Sequence, residues 1–225
     1  MGALAGDANP LQRPSPDLTY KDGNTFKIVH AWKKEKKRRK KEKMKDICLH
    51  IPSYKELWYR KKIMSDPETM SYNKGYELNF DEYDQETGCI AFPERAWADW
   101  YTYFVGQEPL RFYAYLVRKK DGVFIGEVNL HKNQEHPWHE MGILLEARHR
   151  GQGYSKPALK LLLQYAFEKM NVNSVHNQFE ATRTAALQTH LAAGFTRCLP
   201  EGKILELAIS RQEYFRRKTA ECRQA

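Results

Sequence analysis

The chain has 225 residues and a formal net charge of +9, with 41% hydrophobic, 12% aromatic and 29% charged residues. That apolar content excludes a wholly disordered chain, and 13 Gly with 10 Pro exclude a collagen-like or low-complexity one. No apolar run approaches the roughly 20 residues that span a bilayer, and the N-terminus lacks the basic-then-apolar pattern of a secretory signal. The expectation is a soluble, cytoplasmic protein of one or two domains. Cys48, Cys89, Cys198 and Cys222 are scattered without a C-x-x-C pair, so they read as reduced, structural thiols.

Residues 1–43 carry +7 of the net charge, and Lys33–Lys43 is basic except at Glu35 and Glu42. With three prolines and no period, 1–43 reads as a disordered or loosely helical extension, and 44–225 as a nearly neutral domain. The basic run has three readings: a contact for phosphate backbones or anionic membranes, a solvated tail, or in-frame translation of a purine-rich ribosome-binding region before Met44. The near-neutral domain argues against a wide nucleic-acid face.

Asp46–Pro52 suggests a strand. Ser53 and Glu56 form a capping box, opening a helix with Tyr54, Leu57 and Trp58 on one stripe and an end near Pro67. Residues 70–92 show no clear period. Pro93 opens a second helix, on which Trp97, Trp100, Tyr101 and Phe104 share a face. Arg111–Lys119 and Val123–Leu130 read as a hairpin around Asp121-Gly122, with Trp138–Glu146 as the next strand. A glycine turn at Arg148–Gly153 leads into a long helix to about Met170. Strand Ser174–Glu180, helix Thr182–Ala193 capped by Gly194, and strands Phe195–Leu199 and Lys203–Ile209 follow. The order β-α-α-β-β-β-α-β-α-β-β predicts a mixed α/β fold around one sheet.

Arg148-His149-Arg150-Gly151-Gln152-Gly153 enters a helix, where unpaired N–H groups and the helix dipole attract phosphate. It is neither a Walker loop nor a dinucleotide fingerprint. Placed between a strand and a helix, R-x-x-G-x-G resembles the acyl-CoA signature of the GNAT superfamily of N-acyltransferases. Thr184-Ala185-Ala186-Leu187 with Ala193-Gly194-Phe195 is similar to that family's N-x-A-A-x-x-x-Y-x-x-x-G-F segment.

The resemblance implies a sheet splayed between its fourth and fifth strands, with acetyl-CoA as cosubstrate in the cleft. Its pantetheine would pair with Ile143, Leu144, Leu145 and Glu146. Its pyrophosphate would rest on amides from Arg148, His149, Arg150, Gly151, Gln152, Gly153, Tyr154 and Ser155. An acceptor amine would attack the thioester directly. The family's Tyr aligns with His190, which becomes the candidate acid for the leaving thiolate, and its Asn aligns with Arg183, a candidate contact for a CoA phosphate or an acceptor carboxylate. Glu140, on the fourth strand, is the candidate base, with Glu127, Glu180 or water as alternatives.

His131, His136, His139 and Glu140 match no metal-ligand spacing, so no metal is expected. Residues 77–86 hold Glu77, Asp81, Glu82, Asp84 and Glu86, interleaved with Phe80 and Tyr83 and preceded by Tyr72 and Tyr76. Carboxylates and aromatic faces attract cations, pointing to a polyamine, an aminoglycoside-like sugar, or a peptide or protein amine. The rival functions are a non-catalytic CoA-binding module and a ribosome- or nucleic-acid-associated protein. A closing-strand edge offers a place for a homodimer.

Overall fold

The computed structural model describes residues 47–78, 82–197 and 203–223. The basic extension 1–43, Phe80, Asp81 and Cys198 lie outside the described residues.

Seven strands form one sheet in the order β1-β2-β3-β4-β5-β7-β6. They are β1 (Ile47–His50), β2 (Arg111–Arg118), β3 (Val123–Lys132), β4 (His139–Leu145), β5 (Ser174–Glu180), β6 (Thr196–Arg197) and β7 (Ile204–Ser210). Neighbours are antiparallel except β4 and β5, which run parallel. The helices are α1 (Leu57–Met64), α2 (Pro67–Met70), α3 (Trp97–Phe104), α4 (Ser155–Glu168), α5 (Thr184–Ala193) and α6 (Arg211–Arg223).

The expected capping box forms before α1. The Ser53 amide donates to Glu56 Oε2 at 2.7 Å, and its hydroxyl donates to the same oxygen at 2.9 Å. Helix α1 ends at Met64, near Pro67 as expected, and Pro67 itself opens the short α2. Asp66 supplies the N-cap, accepting from the Glu68 and Thr69 amides, and proline's missing N–H costs nothing at the first helical position. The C-terminal helix α6 was not expected. Glu213 pairs with Arg216 and Arg217 one turn on, and Tyr214 and Lys218 reach Glu168 of α4.

Two cores sandwich the sheet. On one face α4 and α5 pack Leu159, Leu162, Leu163, Phe167 and Leu187 against Phe112, Val128, Met141 and Val175. On the other, Tyr59, Ile63 and Met70 of α1 and α2 meet Tyr113, Tyr115 and Leu144. Strand register places Tyr113, Asn129 and Gly142 in one row on this second face, and Tyr115, Glu127 and Leu144 in the next.

The β4–β5 seam positions everything that follows. Only two residue pairs join these strands, His139 with Val175 and Glu140 with His176. Beyond Glu140 they diverge. A three-ring stack stands beside the joined end: the Trp138 ring centroid lies 4.0 Å from that of His136 and 4.2 Å from that of His176, with the ring planes nearly parallel. His176 is also tied to Glu206 of β7 at 2.7 Å.

Candidate active site

The divergence opens a cleft of about 650 Å³. Its floor includes Gly142, Ile143, Leu144 and Leu145 of β4, and one wall carries Asn177, Gln178 and Phe179 of β5 with Ala185, Ala186, Thr189 and His190 of α5. Arg150, Gly151 and Ser155 close one end, and Tyr72, Glu127 and Arg183 face it from the α1–α2 side. Of the residues named from the sequence, Ile143, Leu144, Leu145, Arg150, Gly151, Ser155, Arg183 and His190 line this one cleft.

Gly151 and Gly153 adopt φ of +69° and +82°, conformations that disfavour any Cβ. A Cβ built on Gly151 meets nothing within 4 Å, so the turn lies bare where the chain enters α4. No side chain caps the N-terminus of this 14-residue helix.

The side chains around the turn mostly brace it. Arg150 donates from Nε to the Leu145 carbonyl and from Nη1 to the Glu68 carbonyl, both at 3.1 Å, and from Nη2 to the Thr69 carbonyl. It thus fastens α2 to the end of β4. Glu146 is buried and bound by Lys62 at 2.6 Å and Arg148 at 2.9 Å. Burial alone would raise its pKa, but these cations outweigh burial and hold it below the usual range. Gln152 donates to the Arg148 carbonyl at 2.7 Å. His149 is buried edge-on to Tyr154, and burial lowers its pKa. Glu146, Arg148, His149, Gln152, Gly153 and Tyr154 are not among the residues that line the cleft.

Glu140 is not at the centre of the cleft, where the sequence reading put it. It lies at the joined end of the seam, accepting from Asn133 Nδ2 and bonded to His131 Nε2 at 3.0 Å. Glu140 stands five residues before the end of β4, and the strands open only beyond it. Glu127, an alternative in that reading, does line the cleft. Its side chain is 6% exposed; Arg60 Nη1 donates to one carboxylate oxygen and the Tyr113 hydroxyl to the other. Burial of the Arg60 guanidinium opposes its charge, but Glu127 more than compensates and raises its pKa.

His190 also differs from expectation. It is 3% exposed, between Phe179 and Phe195 with ring centroids 5.1 Å away on each side. Nδ1 faces the Ala186 carbonyl at 2.8 Å, so it carries the proton; Nε2 accepts from Asn177 Nδ2 at 2.9 Å. Burial lowers its pKa. The imidazole is neutral, and both nitrogens are engaged.

Arg183 bridges the mouth. It donates to the Tyr72 carbonyl at 2.8 Å and lies 5.6 Å from the centroids of both Tyr72 and Tyr76. Burial and the Glu127 charge raise the pKa of Tyr72. In the acidic segment, Glu82 is taken by Arg95 and Asp84 by its own turn, bonding the Glu86 amide and Thr87. His131, His136 and His139 turn to separate partners: Glu140, Trp138 and the Pro109 carbonyl.

Sequence reasoning missed Arg60, Asn129 and Asn177. Arg60 sits in an Arg-Lys-Lys run, which reads as a solvated face; its pairing with Glu127 spans 67 residues and leaves no local trace.

A parallel seam that opens over a glycine turn and an uncapped helix defines an acyl-CoA-dependent acyltransferase. The chain belongs to the GNAT family: the model for the acetyltransferase (GNAT) domain matches residues 51–196. It is thus an acyl-transfer enzyme that uses acetyl-CoA. No curated protein matches the sequence. Among solved structures, the fold is similar to spermidine N-acetyltransferase from Vibrio cholerae in complex with CoA and spermine. That match has a TM-score of 0.60 and 15% identity, covering 76% of this chain and 99% of that one. It is also similar to a GNAT-family acetyltransferase from Bacillus anthracis, with a TM-score of 0.55, 16% identity, and 74% and 96% coverage. Among the described residues, no helix is long and apolar enough to cross a membrane.

Proposed function

We propose that the protein is an N-acetyltransferase that passes the acetyl group of acetyl-CoA directly to a primary amine, with both substrates bound together. The observation that carries this reading is the seam. From Gly142 to Leu145 the β4 backbone has no β5 partner, so its edge amides and carbonyls are available for a strand-like ligand. The bare Gly151 turn and uncapped α4 N-terminus fit a pyrophosphate at one end of that edge. These features together support acetyl-CoA lying along β4.

Acetyl-CoA supplies the activated acyl group, a thioester. In this reading a β4 amide donates to the thioester oxygen as negative charge grows there. Glu127 accepts a hydrogen bond from the acceptor amine, or from a water that takes its proton. Its two existing donors, Arg60 and Tyr113, fix its direction. The proton-donor role expected for His190 passes to Tyr72, whose side chain lines the cleft together with Glu127 and carries a hydroxyl donor. His190 holds Asn177 in place, and Glu140 holds His131 and the start of β4.

The test is thiol release from acetyl-CoA by the full chain against a panel of primary amines. Amine-dependent release that is lost in Glu127→Gln and Tyr72→Phe supports the assignment. Release that survives both substitutions overturns these roles, and release with no amine overturns the acceptor class.

A further inference from the structure

We infer that Arg60 is a resident cation: its guanidinium fills an aromatic cage beside Glu127, so the acceptor site takes amines lacking a second positive charge and excludes linear polyamines. The acceptor clause rests on the transferase reading above; the cage does not.

The guanidinium carbon lies 4.6 Å from the Trp100 ring centroid, 5.3 Å from that of Phe92 and 5.5 Å from that of Tyr113. One nitrogen ends on Glu127 and also reaches the Tyr113 hydroxyl at 3.4 Å. Aromatic rings around a carboxylate are what an organic cation selects. Here the chain's own side chain occupies that place. The pair is withdrawn from water, with side-chain exposures of 15% and 6%. Both Glu127 oxygens already have donors.

The charge around the cleft agrees. Its lining residues include one carboxylate, Glu127, against Arg150 and Arg183, and Arg60 stands behind that carboxylate. Glu82 and Asp84 of the acidic segment have partners of their own. Along the cleft lining a second ammonium on the acceptor would meet Arg150 and Arg183, and no carboxylate besides Glu127, which Arg60 already holds. An acceptor with one amine and uncharged or anionic surroundings meets no such penalty.

Arg60→Ala empties the cage and leaves Glu127 facing it. Methylguanidinium, at about tenfold excess over its Kd, should raise the Tm of Arg60→Ala by roughly 3–6 °C. It should leave wild type and Arg60→Lys unmoved against equal sodium chloride. If Arg60→Ala does not fold, Arg60→Ala/Glu127→Gln removes the stranded charge and keeps the rings, and it should still be stabilised by methylguanidinium, by a smaller shift. These readouts need no turnover. In the thiol-release assay, wild type should prefer a monoamine to spermidine, and Arg60→Ala should shift that kcat/KM ratio toward spermidine by about tenfold or more. No methylguanidinium effect on either emptied variant refutes the cage. Wild-type preference for spermidine refutes the exclusion. Absence of release with every amine, with the thermal shifts intact, would refute the transferase reading and leave the cage standing.

Discussion

Replacing His190 with alanine separates a buried positioning role from acid catalysis. The ring is 3% exposed between two phenylalanines, and its removal opens a cavity among Phe179, Phe195 and Leu187. Truncating a buried ring of this size costs about 2–3 kcal/mol in transfer and cavity terms. Asn177 Nδ2 loses its acceptor, adding about 1–2 kcal/mol for a buried unpaired donor. The sum, about 3–5 kcal/mol, corresponds to a fall in Tm of roughly 10 °C for a chain of this length. Thermal unfolding followed by circular dichroism gives that shift. Steady-state thiol release, well below the lowered Tm, gives kcat. A neutral imidazole with both nitrogens engaged donates no proton to a leaving group, so kcat should fall less than about tenfold. Loss of a general acid costs about 10²–10⁴-fold. The wild-type pH profile of kcat should likewise show no limb that the variant loses. An unchanged Tm with a hundredfold lower kcat, or disappearance of such a limb, would refute the reasoning.

Other perturbations probe the turn, the brace and the buried histidines. Gly151→Ala should cost only about 1–2 kcal/mol, from forcing φ of +69° on a residue with a Cβ, while raising the KM for acetyl-CoA about tenfold. Gly126→Ala should do the reverse. Its Cβ would sit 2.2 Å from the Leu144 carbonyl, so urea unfolding should show a loss of about 3 kcal/mol or more through separation of β3 from β4. Arg150→Lys replaces a planar fork serving three carbonyls with one ammonium, and should lower stability by about 1.5–3 kcal/mol. Burial lowers the pKa of His139, His149 and His190 below 6.5, so the unfolded chain binds more protons. Stability from these groups is fully present above about pH 6.5 and falls as pH drops from there toward the folded pKa values. The slope is at most about 1.4 kcal/mol per pH unit for each histidine. Urea midpoints that hold constant from about pH 7.5 to 5.5 would contradict this.

The sequence carried the sheet well because its strands are bounded by local chemistry. Asp121-Gly122 marks the β2–β3 turn, and Gly194 at φ +115° ends α5. The aromatic stripe from Trp97 to Phe104 coincides with α3. Helix α6 escaped because its signal is the 213–216–217 charge spacing rather than an apolar face. The cleft's glycine turn was legible for the same reason as the strands: close backbone approach requires glycine. The polar roles were less so. Position on β4 does not reveal that the seam opens only beyond Glu140, and an α5 histidine does not announce that Asn177 and Ala186 will claim its ring. Arg60 and Glu127 meet only through the packing of α1 on β3.

The two pairs that join β4 to β5 also act as a fulcrum. From Glu140 to Leu145 the strand runs five residues, an arm of about 17 Å. Rotation by about 5° at the joined end therefore moves the far end by about 1.5 Å, a displacement of the size that separates productive from unproductive alignment of reacting atoms. The His136–Trp138–His176 stack beside the pivot consequently has leverage over chemistry it never touches. Substitutions there would retune how wide a range of acceptors the mouth admits, with every residue of the cleft wall left as it is.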